Sequence, residues 1–249
     1  MILPTYVIHL GESFPNRQSL IDIGLKPVGF KGINAKKNEH LRHSDRITPM
    51  CQYFCPKTPI GCGLSHILLA DALSQKHVPM ALILEDDAYP LVKTIDFEQI
   101  IQSVPPDWEL IKLHCDPNCK DGEYRVIKED EAMSTAAYII NARGIQKLKD
   151  MKLSYHIDHQ LFWSNIKQYK SRRNLFWTDE SSSNIRVSQN THWFIQLMKL
   201  TSKPLSSGEK SIEQIHSYPV LRIPFIDVEL AIGNVIDVCI FLIVMYLLA

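Results

Sequence analysis

Three consecutive carboxylates, Glu85, Asp86 and Asp87, are the residues whose types and spacing most directly suggest chemistry. They follow the apolar residues 80–84 (MALIL), a short continuous run that predicts a strand buried on both faces of an α/β sheet. The C-terminal end of such a strand borders the crevice in which open α/β sheets bind ligands. Adjacent like charges repel one another, and a divalent cation that prefers carboxylate oxygens, such as Mg2+ or Mn2+, removes that repulsion. The segment therefore predicts a metal site.

The geometry of a strand suggests how the three carboxylates divide their roles. Alternate side chains of a strand share a face, so Glu85 and Asp87 are expected to point the same way and Asp86 the opposite way. One metal ion could then be bound by Glu85 and Asp87, which leaves Asp86 for a ligand hydroxyl or a backbone amide. The alternative is an exposed acidic turn that merely ends the strand.

The length and composition of the chain limit which classes of protein it can belong to. The chain has 249 residues, a formal net charge of +0 and 45% hydrophobic residues, which is typical of a globular protein with a sizeable core. Neutral charge provides no general electrostatic attraction to nucleic acid, so no nucleic-acid partner is expected. The sequence divides into a predicted catalytic domain over residues 1–178, a polar, breaker-rich extension over 179–227 and an apolar tail over 228–249.

The two ends of the sequence bear on its location. Residues 1–10 have no basic n-region and only a short apolar stretch, so they predict a first strand rather than a signal peptide, and the cytoplasm is the expected location. Residues 238–249 are all apolar, whereas the longer stretch 228–249 contains Glu229, Asn234 and Asp237. Two alternatives stay open for the tail: a membrane anchor, or a terminal helix in the core or on a membrane surface.

The six cysteines do not suggest a disulfide framework in a chain of this length. Two pairs, Cys51/Cys55 and Cys115/Cys119, share one spacing and could together form a four-thiolate zinc site. Neither pair lies in a glycine-rich knuckle, so the prediction is that these are buried or incidental thiols.

Strand and helix patterns alternate along the predicted catalytic domain. The predicted strands cover residues 5–10, 28–30, 80–84, 108–114 and 136–140. One predicted helix begins near residue 16, and a second runs from residue 61 to about 76. Two more cover residues 142–151 and 158–167. This alternation predicts an α/β, Rossmann-like sandwich with a central, mostly parallel sheet.

Several segments match one known pattern in their order and spacing. They are residues 6–10 (YVIHL) with Arg17, 61–66 (GCGLSH), 82–87 (LILEDD), 107–113 (DWELIKL), and 134–140 (STAAYII) with Gly144 and Leu148. In this combination the chain resembles glycosyltransferase family 25, the group of lipopolysaccharide-type and procollagen galactosyltransferases. The resemblance covers about residues 4 to 165, and the pairing of the GCxxSH and LEDD motifs is its most specific part.

The resemblance implies a GT-A fold and the inverting transfer of a sugar, galactose or another hexose, from a UDP-sugar to a glycan or protein hydroxyl. It also implies a divalent metal, typically Mn2+, with Mg2+ as the alternative. Carboxylates hold such a metal against the diphosphate, where it stabilises the charge that develops on the leaving group. Asp87 is the first choice for a direct ligand, Glu85 helps directly or through water, and Asp86 contacts the ribose or the sugar.

Five further residues receive roles from the same match. Asp158 is the predicted base that takes the acceptor proton, with a third metal ligand as its alternative role. Ser65 and His66 are expected early in a helix, whose positive N-terminus suits a diphosphate or an acidic side chain; the alternative is a helix cap and a half-buried histidine. His9 and Arg17 follow the first strand, near the expected nucleotide, and Arg17 could pair with a phosphate.

Two other function classes compete with the transferase. Clustered carboxylates at a strand end also suit a Mg2+-dependent phosphohydrolase, which would need no acceptor. A degenerate transferase fold that serves as a binding or scaffold module is the second alternative. Such a module would turn nothing over.

Overall fold

The computed structural model describes residues 3–114, 134–171, 174–179, 219–223 and 228–248. The described strands are β1 (Thr5–His9), β2 (Pro27–Lys31), β3 (Met80–Glu85), β4 (Ala88–Pro90), β5 (Leu110–Lys112), β6 (Ala137–Asn141), β7 (Gln168–Lys170), β8 (Phe176–Thr178), β9 (Pro219–Ile223) and β10 (Val228–Ala231). The described α-helices are α1 (Arg17–Asp22), α2 (Pro49–Phe54), α3 (Lys57–Gln75), α4 (Phe97–Ser103), α5 (Ala142–Lys149), α6 (Ile157–Phe162) and α7 (Ile232–Leu248).

A six-stranded sheet in the order β2-β1-β3-β6-β5-β7 forms the centre of the molecule. Strand β1 pairs in parallel with β2 and β3, and β5 pairs in parallel with β7. Strand β6 runs antiparallel to both of its neighbours, β3 and β5. The predicted α/β architecture is confirmed, and the sheet is mixed because this one strand is reversed.

Two hydrophobic layers cover the two faces of this sheet. Alternation along β3 sends Ala81 and Ile83 into one layer and Leu82 and Leu84 into the other. Helices α3 and α5 contribute to the first layer, whereas α1 and α4 contribute to the second. Because all four strand side chains are fully buried, β3 is the doubly covered central strand that its apolar run predicts.

The long helix α3 begins earlier than predicted. It starts at Lys57 rather than at Gly61, because proline is tolerated in the first turn of a helix and Pro59 therefore does not block it. Ser65 and His66 consequently lie in the third turn, where the positive charge of a helix terminus has fallen off. The expectation that these two residues lie at the start of the helix is wrong.

A disulfide bond at the C-terminal end of α2 was not predicted from the sequence. Cys51 and Cys55 are joined across one turn, with their Cα atoms 4.6 Å apart. The prediction of buried or incidental thiols is therefore wrong for this pair, and a four-thiolate site that includes both residues is excluded. Cys115 and Cys119 lie outside the described residues.

The strands β9 and β10 pair in antiparallel orientation, and β9 packs on α2. Arg222 donates hydrogen bonds to the carbonyl oxygens of Gln52 and Tyr53. Glu229 Oε1 accepts a hydrogen bond of 2.6 Å from the backbone N–H of Lys57, the first residue of α3. A carboxylate at this position also complements the positive end of the helix dipole.

Helix α7 follows β10 and occupies most of the predicted apolar tail. It is 17 residues long, and several of its apolar side chains, including Ile240 and Leu242, are more than half exposed. Within the part of the chain that the structure describes, no helix combines the length and apolar character needed to cross a membrane. The predicted extension over 179–227 lies largely outside the described residues.

Candidate functional site

A pocket of about 280 Å³ opens at the C-terminal edge of the sheet, where the parallel neighbours β1 and β3 end. Its volume is close to the lower limit of about 300 Å³ for small-molecule sites. Six of the predicted site residues line it: His9, Ser65, His66, Glu85, Asp86 and Asp87. Arg17 and Asp158 do not line it.

Glu85, the last residue of β3, is held by two side chains from other elements. The Thr135 hydroxyl donates a hydrogen bond of 2.7 Å to Glu85 Oε1, and His66 Nε2 lies 3.2 Å from the same oxygen. Burial alone would raise the pKa of Glu85, but the hydrogen bond and the charge of His66, together with Thr135, outweigh it and lower the pKa. Glu85 therefore remains a carboxylate in a largely enclosed position.

His66 is completely buried in α3 and is bonded at both ring nitrogens. Its Nδ1 atom lies 2.8 Å from the hydroxyl oxygen of Tyr138 on β6, and its Nε2 atom faces Glu85. A chain of four side chains therefore links the helix to two neighbouring strands and to residue 135. This network fixes the orientation of the imidazole ring toward the pocket.

Asp86 and Asp87 lie in the turn that follows β3. Burial raises the pKa of Asp87 to about 8, and the nearby charges of Glu85 and Asp86 add to the shift. Its Oδ1 atom is buried and has no hydrogen-bond partner among the described residues. Burial and Glu85 also raise the pKa of Asp86. An uncompensated, crowded carboxylate of this kind fits a divalent cation, whose charge would remove the repulsion.

Ser65 and His9 form parts of the pocket wall with different local bonds. The Ser65 hydroxyl donates to the Gly61 carbonyl oxygen at 2.6 Å and accepts from the Ile33 backbone N–H at 2.8 Å. This residue thus ties α3 to the segment that follows β2. His9 Nδ1 lies 3.1 Å from the carbonyl oxygen of Gly11 and the ring is only partly buried, so it borders the mouth of the pocket.

Asn16 is a residue of the site that sequence reasoning missed. Its side chain is fully buried, and its amide Nδ2 donates to the carbonyl oxygens of Glu85 at 3.1 Å and Ala88 at 2.6 Å. It therefore binds the backbone on both sides of the acidic turn. The only local signal was an asparagine at a helix start, yet its side chain makes no capping bond. Its neighbour Arg17 is exposed on α1.

Asp158, in the first turn of α6, lies behind the pocket rather than on its wall. Burial raises its pKa, Lys112 opposes the rise and Glu85 adds to it. Its Oδ1 atom is buried and has no hydrogen-bond partner among the described residues. Lys112 of β5 is also buried, and burial lowers its pKa to about 8 against the opposing effect of Asp158. Nothing in the sequence indicated this lysine, because it lies within an apolar strand pattern.

Cys62 lines the pocket, although the sequence analysis gave it no role there. It precedes His66 by four positions, so both side chains lie on one face of α3. Single ligand atoms of Cys62, His66 and Glu85 all lie within 4.8 Å of one another. Burial raises the pKa of the Cys62 thiol well above its usual range, and the carboxylates Glu85 and Asp158 add to the shift.

Comparisons with known proteins add little to this geometry. No protein-family model matches the chain, and no curated protein sequence matches it. Among solved structures, the crystal structure of A197 from STIV is similar with a TM-score of 0.45 and 13% identity, over 78% of this chain and 100% of the other. A glycosyltransferase involved in the glycosylation of the major capsid of PBCV-1 is similar with a TM-score of 0.35 and 12% identity, over 60% of this chain and 64% of the other.

Proposed function

We propose that this chain is a metal-dependent, inverting glycosyltransferase that moves a hexose from a UDP-sugar to a hydroxyl of a glycan or protein. One observation carries the proposal. Six residues from three separate segments of the sequence, which the family 25 resemblance connects with donor binding, line a single pocket at the ends of β1 and β3. The edge where parallel strands end is where open α/β sheets bind their ligands.

Asp87 and Glu85 are the residues that would hold Mn2+ or Mg2+. The Oδ1 atom of Asp87 supports this assignment, because it is buried without a hydrogen-bond partner among the described residues, and such a carboxylate oxygen is costly without a cation or a proton. A bound divalent ion would supply charge stabilisation for the diphosphate leaving group. His66 and Thr135 hold Glu85 in one orientation, and Asn16 fixes the backbone from which both carboxylates project.

Inversion in a single displacement needs a base that takes the proton of the acceptor hydroxyl. Asp86 lines the pocket and Asp158 does not, so we assign contact with the reacting groups to Asp86. Asp158, beside Lys112, is then a positioning residue behind the site, in place of the base role that the sequence predicted.

Calorimetric titration with UDP, with and without Mn2+, tests the donor site. We expect wild-type binding that requires the metal and is lost in Asp87→Asn, because the substitution removes a charged oxygen ligand but little volume. Asp45→Asn is the matched control, since the Asp45 side chain is 80% exposed and lies outside the pocket lining. The control should bind UDP as the wild type does.

Two results would contradict the proposal. Wild-type protein that binds no UDP at any Mn2+ concentration rules out the donor site, and equal binding by wild type and Asp87→Asn rules out the assigned metal ligand. Transfer to added acceptors, measured with a panel of UDP-hexoses, then distinguishes the transferase from a hydrolase that releases free sugar alone.

A further inference from the structure

We infer that Cys62, His66 and Glu85 form a binding site for a thiophilic transition metal ion, most simply Zn2+, at the inner wall of the pocket. One sulfur, one imidazole nitrogen and one carboxylate oxygen approach within 4.8 Å of one another there. The site differs from the Mn2+ site proposed above in its donors and in two of its three residues. The inference does not depend on the chain being a transferase.

The distances require only a small contraction around an ion. Bonds of about 2.0 to 2.3 Å in a tetrahedral zinc site separate neighbouring ligand atoms by roughly 3.3 to 3.8 Å. His66 Nε2 and Glu85 Oε1 already lie 3.2 Å apart, and all three ligand atoms lie within 4.8 Å of one another. A movement of about 1 Å by the Cys62 side chain would therefore complete the triangle.

The chemistry of the three donors favours zinc over the hard cations. Thiolate sulfur selects Zn2+ and other soft ions, whereas Mg2+ and Mn2+ prefer oxygen alone. Three protein ligands with a fourth position open are typical of zinc sites that accept water or a substrate atom. Cys62, His66 and Glu85 all line the pocket, so the fourth position would face its interior. When the zinc–sulfur bond forms, the thiol proton passes to solvent.

Outer partners of the kind found around metal ligands are already in position. The Tyr138 hydroxyl lies 2.8 Å from His66 Nδ1, so an Nδ1–H group can donate to it and leave the Nε2 lone pair for the metal. Thr135 holds Glu85 Oε1 at 2.7 Å. Glu85 lies within 4.8 Å of both other ligand atoms, so a negative charge that attracts a cation is already part of the site.

Titration of chelator-treated protein with Co2+ alone, in the absence of nucleotide, tests the site. A thiolate bound to Co2+ gives a near-ultraviolet charge-transfer band, which Zn2+ should abolish by displacement. We expect the band in the wild type, its loss in Cys62→Ser and at least about tenfold weaker Zn2+ binding in His66→Gln. Cys239→Ser is the matched control because Cys239 is an exposed thiol on α7, and it should keep the band.

Two further variants test whether the charge-transfer band arises at Cys62 and whether this metal site is distinct from the donor site. The double variant Cys115→Ser, Cys119→Ser should keep the band. If the double variant lost the band and Cys62→Ser kept it, the proposal would be overturned. Asp87→Asn should also keep the band, since Asp87 is not a ligand of this site. Absence of a band in the folded wild type, as judged by circular dichroism, equally overturns it. Failure of UDP binding leaves these outcomes unaffected.

Discussion

His66 Nε2 lies 3.2 Å from Glu85 Oε1, so a fully buried side chain of α3 meets the first of three consecutive carboxylates. The other ring nitrogen, Nδ1, is hydrogen-bonded to the Tyr138 hydroxyl, and the imidazole thus connects β6 to the end of β3. A buried histidine with both nitrogens bonded cannot rotate without breaking a bond that the interior offers no water to replace. The pocket wall is therefore rigid where the carboxylates begin.

Tyr138→Phe should destabilise the protein by about 1–3 kcal/mol. The substitution removes the hydroxyl bonded to His66 Nδ1 and leaves that buried nitrogen without its partner. Urea unfolding followed by circular dichroism measures the change. Tyr246→Phe, at a tyrosine that is 82% exposed on α7, is the control and should lie within about 0.5 kcal/mol of the wild type. Equal free energies of unfolding for the two variants would contradict a stabilising role for the Tyr138–His66 hydrogen bond.

Asn16→Leu should destabilise the fold and weaken ligand binding in the pocket. The leucine has a similar size but cannot donate to the carbonyl oxygens of Glu85 and Ala88, and we expect a loss of about 1–3 kcal/mol. Thermal unfolding and UDP titration measure the two effects. Gln18→Leu, an exposed change two positions further along in α1, controls for the introduction of a leucine. An Asn16→Leu protein with wild-type thermal stability and wild-type UDP affinity would refute the role assigned to Asn16.

Gly61→Ala should cost about 1–3 kcal/mol despite the higher helix propensity of alanine. A Cβ atom at this position would lie 2.5 Å from the carbonyl oxygen of Ile33, so the helix and the segment after β2 must move apart. The same movement would stretch the 2.8 Å hydrogen bond from the Ile33 N–H to Ser65. Chemical denaturation checks the prediction. Gln75→Ala, at an exposed position of α3, should be neutral or slightly stabilising, and the same result for Gly61→Ala would disprove the steric argument.

The ionisation of Glu109 should make the free energy of unfolding depend on pH. Burial alone would raise the pKa of Glu109, but hydrogen bonds from Lys147 Nζ at 2.7 Å and from the Lys167 N–H at 2.9 Å outweigh it and lower the pKa. Because the folded-state pKa lies below the unfolded value of about 4.3, the contribution is fully present above that pH and is lost as the pH falls through the lowered pKa.

Unfolding of the wild type and Glu109→Gln across pH 2 to 7, with pH values chosen around the unfolded pKa of about 4.3, measures this contribution. Above about pH 4.3 the wild type should have a larger free energy of unfolding than Glu109→Gln. The difference between the two proteins should shrink as the pH falls through the lowered pKa of Glu109. Glu98→Gln, an exposed change on α4, is the control for loss of a surface charge. A difference that grows on acidification would show that the sign is wrong.

Sequence patterns were sufficient where the structure depends on local order. The apolar run of β3 predicted its burial, because a doubly covered strand leaves little room for polar side chains. The run therefore also predicted that the three carboxylates after it begin at the C-terminal end of this strand. The start of α3 was predicted four residues too late, at Gly61, although a first helical turn accepts a proline such as Pro59.

Contacts between distant residues could not be predicted in this way. Asn16 and Glu85 are 69 positions apart, and no local pattern signals their bond. The direction of β6 was also hidden, since an apolar strand buried on both faces reads the same in either direction. Cys51 and Cys55 carried a spacing but no indication that they pair with each other.

The reversed strand β6 has a consequence for the order in which the chain can assemble. Strands β2, β1 and β3 form one half of the sheet and β5 and β7 the other, and among the described strands only β6 hydrogen-bonds to both halves. Because β6 follows β3 and β5 in the sequence, a ribosome must have released residues 137–141 before the two halves can join. Until then, the inner edge of β3 is open, and a nascent chain arrested short of residue 137 would expose this apolar strand to chaperones.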